Sequence, residues 1–406
     1  MDAGGSVGLM PLRNSWTLGR TGCRTGSFPT DQLISRPPHR SGPCAAYGLV
    51  ELAEPVCDKA AARSAHLSSR GRKTVARVLV TGGAGYVGCV LVPMLLEDGH
   101  TVTVYDLMLY GADGLPIHPK LRVVEGDLRD TPKFARASAG HDAVIHLACI
   151  SNDPSFELDP ALSRSINYDC FEPMVQACRA AGVRRFVYAS TSSVYGVSNA
   201  PEVTEEHPLV PLTDYNKYKG LCEPILLRYQ APDFTVVIIR PATVCGYSPR
   251  MRFDLSVNIL TNHAVNRGVI TVFGGSQKRP NIHMDDVAEL YVRLLEFPED
   301  LIAGQIFNTG YQNYTIAELA EMVRAVVEQE MPEKAPIRVE TTSTNDPRSY
   351  HVSSRKIAEK LGYIPKRTVE DAIRDLCRAF KSGKLPNSLT DDRYINVKSL
   401  KRAGLR

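Results

Sequence analysis

The sequence has no uninterrupted apolar stretch approaching the roughly twenty residues of a membrane-spanning helix, so no membrane partner is expected. It has no Cys-x-x-Cys pair and no Cys/His spacing of a zinc site, although ten cysteines are present. Thiols scattered in this way exclude a disulfide framework and a structural metal, and predict small, reduced, mostly buried side chains. Charge of one sign is not in excess: 48 basic and 44 acidic residues leave a formal net charge of +4, with no long like-charge block in the body of the chain. No nucleic-acid partner is expected, because that balance supplies no basic face. No internal repeat is evident. At 406 residues the chain can bury a sizeable core, expected as one large α/β unit with a smaller lobe and an appendage.

Acidic residues are scarce from Met1 to about Lys73, a stretch rich in Gly, Ser, Pro and Arg without a helical or strand period. No packed domain is expected over residues 1–75. Two readings stay open, a transit peptide and an extension upstream of a true start at Val75. The expected location is the cytoplasm, or an organelle if the segment is a transit peptide. Peptides from Asp2 to Arg72 in the mature natural protein would refute the late start.

What is there begins at Ala76, in the stretch ARVLVTGGAGYVG. Val78 to Val80 read as a strand buried on both faces, and glycines follow at every third position, Gly82, Gly85 and Gly88. The first allows a sharp turn off the strand, the second a close approach of backbone N–H groups to a pyrophosphate, and the third tight packing of the next helix. The N-terminus of that helix, with Tyr86 and Val87 in its approach, presents partial positive charge to the phosphates. A second strand, Thr101 to Tyr105, ends in Asp106, eighteen positions after Gly88. A carboxylate there accepts hydrogen bonds from both adenosine ribose hydroxyls and repels a 2′-phosphate, which favours NAD over NADP. Pro93 falls beyond the first turn of the intervening helix and is expected to bend or loosen it.

Strands and helices then alternate. Leu121 to Glu125, Ala143 to Leu147, Phe186 to Ala189 and Thr235 to Ile239 read as strands, with a helix from about Ser163 to Ala181. This alternation predicts right-handed crossovers and a parallel, doubly wound α/β sheet over residues 76–246, with ligands beyond the C-terminal strand ends. Asp106, Asp127, Leu147, Ala148 and Thr191 all fall there. Residues 247–383, with short strands (Val269 to Phe273, Gln305 to Asn308) and helices (Ile316 to Val327, Val369 to Phe380), are expected to form mainly the substrate lobe, with segments returning to the sheet. The tail, 384–406, is polar and turn-rich and is assigned no element.

The chemistry falls in two stretches, Ser190-Thr191-Ser192-Ser193-Val194-Tyr195-Gly196 and Tyr215-Asn216-Lys217-Tyr218-Lys219. At a spacing of four, Tyr215 and Lys219 share one helical face. A phenol with an ordinary pKa of about 10 is a poor base at neutral pH, and a neighbouring ammonium favours its phenolate. The hydroxyl of Thr191 can hydrogen-bond the reacting oxygen, so an alcohol or ketone is positioned for hydride exchange with a nicotinamide. Alone, a Tyr/Lys pair is an ordinary surface pair. The glycine fingerprint, the strand-end signals and the Ser/Thr cluster in chain order reverse that reading.

From Ala76 to about Ala379 the chain resembles the extended short-chain dehydrogenase/reductase superfamily, within it the NAD-dependent nucleotide-sugar epimerases and dehydratases. TGGAGYVG is similar to the cofactor fingerprint, GDL (Gly126 to Leu128) to the adenine contact, HLA (His146 to Ala148) to the cofactor wall, and Tyr215 with Lys219 to the catalytic pair. Glu223 resembles the trailing acid, and RPATVCG (Arg240 to Gly246) the segment along the nicotinamide and sugar phosphates. RPNIHMDDVA (Arg279 to Ala288) resembles an Arg-x-x-x-His-x-x-Asp element.

The resemblance implies catalysis by Thr191, Tyr215 and Lys219. It implies cofactor contacts from Gly82, Gly85, Tyr86, Val87, Gly88, Asp106, Asp127, Leu128, Leu147, Ala148, Tyr215 and Lys219, the lysine holding the nicotinamide ribose. Substrate contacts would come from Thr191, Tyr215, Thr243, Asn258, Arg279 and Arg348, and a homodimer would form through flanking helices that include the one bearing Tyr215. Ser192 and Ser193 stand where sugar 4,6-dehydratases carry Asp-Glu, which speaks against water elimination. Tyr218 replaces a small Ser or Thr, and Cys149 to Pro154 matches no subgroup motif. His146 and His283 read as structural histidines, and Asp285 and Asp286 as helix-capping acids, not metal ligands. The expected function is epimerisation of a nucleotide-diphosphate sugar with retained NAD. The alternatives are a keto-sugar reductase using the same residues and a non-catalytic NAD-bound subunit.

Overall fold

The computed structural model describes residues 75–198, 200–344, 349 and 351–405. The expectations for residues 1–74 and for Arg348 lie outside the described residues. Strands β1 (Arg77–Thr81), β2 (Thr101–Asp106), β3 (Leu121–Glu125), β4 (Ala143–His146), β5 (Arg185–Ala189) and β6 (Thr235–Pro241) come first. After them come β7 (Thr243–Cys245), β8 (Val269–Phe273), β9 (Lys278–His283), β10 (Gln305–Thr309), β11 (Gln312–Thr315) and β12 (Arg338–Thr342).

Seven strands form one sheet in the order β10-β6-β5-β4-β1-β2-β3, and every pairing in it is parallel. β1 is central because Val78, Leu79 and Val80 are wholly buried, each face of the strand meeting a separate apolar layer. Strand order reverses at β1, whose neighbours are β2 and β4, and a crevice opens at such a reversal beyond the strand ends. β10 returns to this sheet from the second half of the chain. The smaller lobe packs helices Ser256–Arg267, Ile316–Glu330 and Val369–Lys381 around the paired strands β8 and β12. Thr315 with Glu318 and Thr368 with Asp371 form reciprocal caps that start the last two of these helices.

Gly88–Glu97 is one helix that contains Pro93, with Leu91, Val92 and Leu95 fully buried. Two expectations are corrected. The helix read from Ser163 to Ala181 is three pieces: Pro160–Arg164, a widened π turn at Ser165–Asp169, and Phe171–Ala180. The tail is folded, with a short 3-10 turn at Asp392–Tyr394 and a helix at Asn396–Ala403. Its anchor is Tyr394, whose ring lies 5.2 Å from that of Phe253 and whose carbonyl accepts the Phe253 N–H at 2.8 Å.

Candidate active site

At the end of β1 the chain turns through Gly82 at φ +74°, and a Cβ there would lie 2.6 Å from the Ala148 nitrogen. A Cβ on Gly88 would lie 2.4 Å from the Gly83 carbonyl oxygen, so the helix seats against the turn only because both residues are glycine. Across the turn, Asp106 accepts from the Ala84 N–H at 3.0 Å and the Met108 N–H at 2.9 Å, and burial raises its pKa. A cavity of about 200 Å³ runs from here, lined by Gly82, Gly85, Tyr86, Val87, Gly88, Asp106, Gly126, Leu128, Leu147, Ala148 and Lys219. A cradle without Cβ atoms, followed by a helix N-terminus and a carboxylate at the end of the adjacent strand, is the donor and acceptor set that a dinucleotide requires. Asp127 does not line this cavity. Its carboxylate is held by the Arg129 side chain at 2.7 Å and the Arg129 N–H at 2.8 Å, leaving Gly126 and Leu128 to form the wall.

Tyr215 and Lys219 stand on the helix Asp214–Leu227, which Thr213 caps by accepting the Asn216 N–H. The Lys219 ammonium donates to the Ala189 carbonyl at 2.5 Å and lies over the Tyr188 ring. Thr191 follows β5 in extended backbone, and its Oγ1 accepts the Ser193 N–H, closing the 3-10 turn Ser192–Tyr195. A second cavity, about 560 Å³, is lined by Thr191, Ser192, Ser193, Tyr215, Thr243, Arg252 and Arg279 among others. Tyr215 is common to both cavities, as are Tyr86, Val87 and Arg252.

Burial raises the pKa of Tyr215 well above 10, the Cys149 thiol adds to the rise, and the Arg252 cation opposes it. The Lys219 ammonium is held on the Ala189 carbonyl. A protonated phenol cannot act as a base. The oxidised nicotinamide ring carries positive charge, and a nearby cation favours phenolate. The phenolate titration of Tyr215, read by ultraviolet difference against Tyr215→Phe, is therefore expected at lower pH with NAD bound than without. Equal curves would contradict this.

Asn258 is among the lining residues of neither cavity. Its Oδ1 accepts the Gly246 N–H at 3.1 Å, and its Nδ2 donates to the Tyr86 hydroxyl at 2.9 Å and the Arg252 carbonyl at 3.0 Å. It is fully buried, and it holds Tyr86 and the β7 exit in place. Glu223 also works behind the cavity, pairing with Arg240 at 2.5 Å and accepting from the Ser190 hydroxyl at 2.6 Å. Tyr218 finds its partners in aromatic rings, 5.6 Å from Phe156 and 5.3 Å from Tyr168. His146 is a neutral structural residue, bonded to Thr81 Oγ1 at 2.6 Å with its pKa pushed well below 6.5 by burial and by Lys219.

His283, Asp285 and Asp375 bring ligand-type atoms within 4.8 Å of one another. Each has a protein partner. His283 accepts the Asp285 N–H and meets Asp375, Arg367 meets Asp285, and Arg378 meets Asp375.

Sequence reasoning missed a network that links the tail to the site. Asn396 donates to the Ser151 hydroxyl at 2.7 Å and accepts from Arg250 at 2.5 Å. Asp254 holds Arg252 at 2.9 Å and accepts from Asn152 at 2.7 Å. Asn167, in the π turn, clamps Ile150 through both its N–H and its carbonyl. The segment Cys149 to Pro154 is therefore fixed from three sides beside Tyr215.

A family model described as the NAD dependent epimerase/dehydratase family matches residues 78–310, more than half of the chain. The chain belongs to that family. UDP-glucose 4-epimerase of Corynebacterium glutamicum is 31% identical over 323 residues, covering 73% of this chain and 94% of the relative. Among solved structures, MoeE5 in complex with UDP-glucuronic acid and NAD is 25% identical with a TM-score of 0.65, covering 76% of this chain and 99% of that one. DesIV of Streptomyces venezuelae, a dTDP-glucose 4,6-dehydratase with NAD and TYD bound, is also 25% identical, with a TM-score of 0.67 and coverage of 76% and 98%. The family is NAD-dependent, and the glycine turn, helix N-terminus and Asp106 of the smaller cavity are the groups that would hold NAD. Among the described residues no helix is long and apolar enough to cross a membrane.

Proposed function

We propose that this protein is an epimerase of a nucleotide-diphosphate sugar, inverting one hydroxyl-bearing carbon by transient oxidation to a keto-sugar. The observation that carries the reading is the place of Tyr215 on the wall shared by two cavities, with Thr191 lining the larger and Lys219 the smaller. NAD, when bound, supplies the acceptor that takes hydride from the sugar carbon and gives it back to the opposite face. Tyr215 takes the proton of the sugar hydroxyl and returns it, and Thr191 Oγ1 hydrogen-bonds the same oxygen. Lys219, anchored on Ala189, has further N–H groups that would hold the cofactor ribose. Thr243 and Arg279, in the larger cavity, meet the diphosphate.

Epimerisation is favoured over water elimination because the carboxylates of the larger cavity are engaged. Asp153 accepts from the Thr213 hydroxyl at 2.6 Å and Asp254 is ion-paired with Arg252, while Ser192 and Ser193 carry no acid. With NAD-loaded protein and UDP-glucose, nuclear magnetic resonance should show an epimeric UDP-hexose without net NADH. A 4-keto-6-deoxy product or steady accumulation of NADH would contradict the proposal. A homodimer through the helix bearing Tyr215 belongs to the same reading, supported by the exposed side chains of Leu212 and Leu221. Light scattering should give twice the chain mass, and a monomer mass at micromolar concentration would refute it.

A further inference from the structure

Asn216 directly follows Tyr215 and is 1% exposed, yet neither its Nδ2 nor its Oδ1 has a partner among the described residues. Both atoms belong to a side chain that lines the larger cavity with Thr191, Ser192 and Ser193. Helical geometry explains the position. Asn216 and Gly220 share a face, and a Cβ on Gly220 would meet Val194 at 3.5 Å, so this face packs toward the 3-10 turn that begins beside Thr191. The Ser256 hydroxyl, lining the same cavity from another helix, also lacks a partner. A buried amide without hydrogen bonds lowers stability relative to an apolar residue of similar size, so its presence here calls for a ligand that completes it.

We infer that Asn216 is a specificity-determining residue that hydrogen-bonds a neutral hydroxyl of the sugar other than the one oxidised. This rests on the proposed epimerase reading and names the group that the site selects. An amide offers two donors and one acceptor, which matches a hydroxyl that both accepts and donates. A carboxylate would leave the Oδ1 facing negative charge, and a deoxy position would leave the amide unmet. A site built around a hydroxyl rejects the analogue that lacks it, because its buried polar groups then stay unpaired.

The test uses NAD-loaded wild type, Asn216→Ala and Asn216→Ser with UDP-glucose and its 2-deoxy, 3-deoxy and 6-deoxy analogues, measuring both turnover and calorimetric affinity. Asn216→Ala should lower kcat/KM for UDP-glucose about 10- to 100-fold. In that variant the penalty for one deoxy analogue should vanish while the other two persist. The melting temperature should hold or rise, since an unpaired amide is removed. Unchanged kcat/KM, or equal penalties for all analogues in wild type and variant, would overturn the inference. So would a lowered melting temperature in both variants, which would assign Asn216 to the scaffold. If UDP-glucose binds the wild type but is not epimerised, the epimerase reading fails while the affinity ratios still decide the role of Asn216. Absence of binding to the wild type contradicts both.

Discussion

Tyr215→Phe is expected to lower kcat by about 10²- to 10⁴-fold, the range lost when a positioned acid–base group is removed. NAD binding should be retained, because the cavity that fits the cofactor is shaped mainly by Gly82, Gly85, Asp106, Leu147 and Ala148, none of which depends on the phenol oxygen. Stability should change by no more than about 1 kcal/mol, since the Cys149 thiol beside that oxygen is a weak hydrogen-bond partner. Pre-steady-state turnover and calorimetric NAD titration separate the two effects. Activity within threefold of wild type would remove Tyr215 from the chemistry. Loss of NAD affinity together with turnover would make it a cofactor residue instead.

Glu223→Ala should destabilise the protein by about 3 to 5 kcal/mol, the cost of leaving a buried charge without its partner. The stranded group is Arg240, whose side chain is 4% exposed and whose Nε and Nη2 donate to Glu223 at 2.9 and 2.5 Å. Its third nitrogen donates to the Tyr195 hydroxyl at 2.6 Å, which in turn donates to Asn308 at 2.7 Å. One buried network thus ties the end of β5, the helix bearing Tyr215 and strands β6 and β10. Because Glu223 also holds Ser190, the residue before Thr191, kcat should fall in whatever fraction remains folded. Replacing both charges, Glu223→Met with Arg240→Met, should cost less than Glu223→Ala alone. Urea unfolding checks the order, and a double replacement as damaging as the single one would show that the polar network itself is required.

Much of this was legible because the signals are local. The glycine triplet, the Asp106 strand end and the four-residue spacing of Tyr215 and Lys219 each carry their geometry within one strand, turn or helix. β8, read as Val269 to Phe273, has those bounds in the structure because both ends are marked by turn residues. What was not legible depends on distant partners. Asn396 and Ser151 are 245 positions apart, and nothing in a polar tail announces that one of its amides completes an active-site wall. Asn258 has the residue type expected for a substrate contact, but three partners from other segments claim its amide. For Tyr215 and Lys219, spacing gives the shared face, while the Ala189 carbonyl decides where the ammonium points.

The central claim is that inversion proceeds through oxidation over NAD, with Tyr215 handling only the hydroxyl proton. Its most direct test is turnover of UDP-glucose by the NAD-loaded protein in deuterium oxide, followed by mass and nuclear magnetic resonance analysis of the epimer. The account predicts that the inverted carbon keeps its original hydrogen and takes no solvent deuterium, because the same hydride leaves and returns. Deuterium at that carbon would mean that a base abstracts its proton, and would contradict the account.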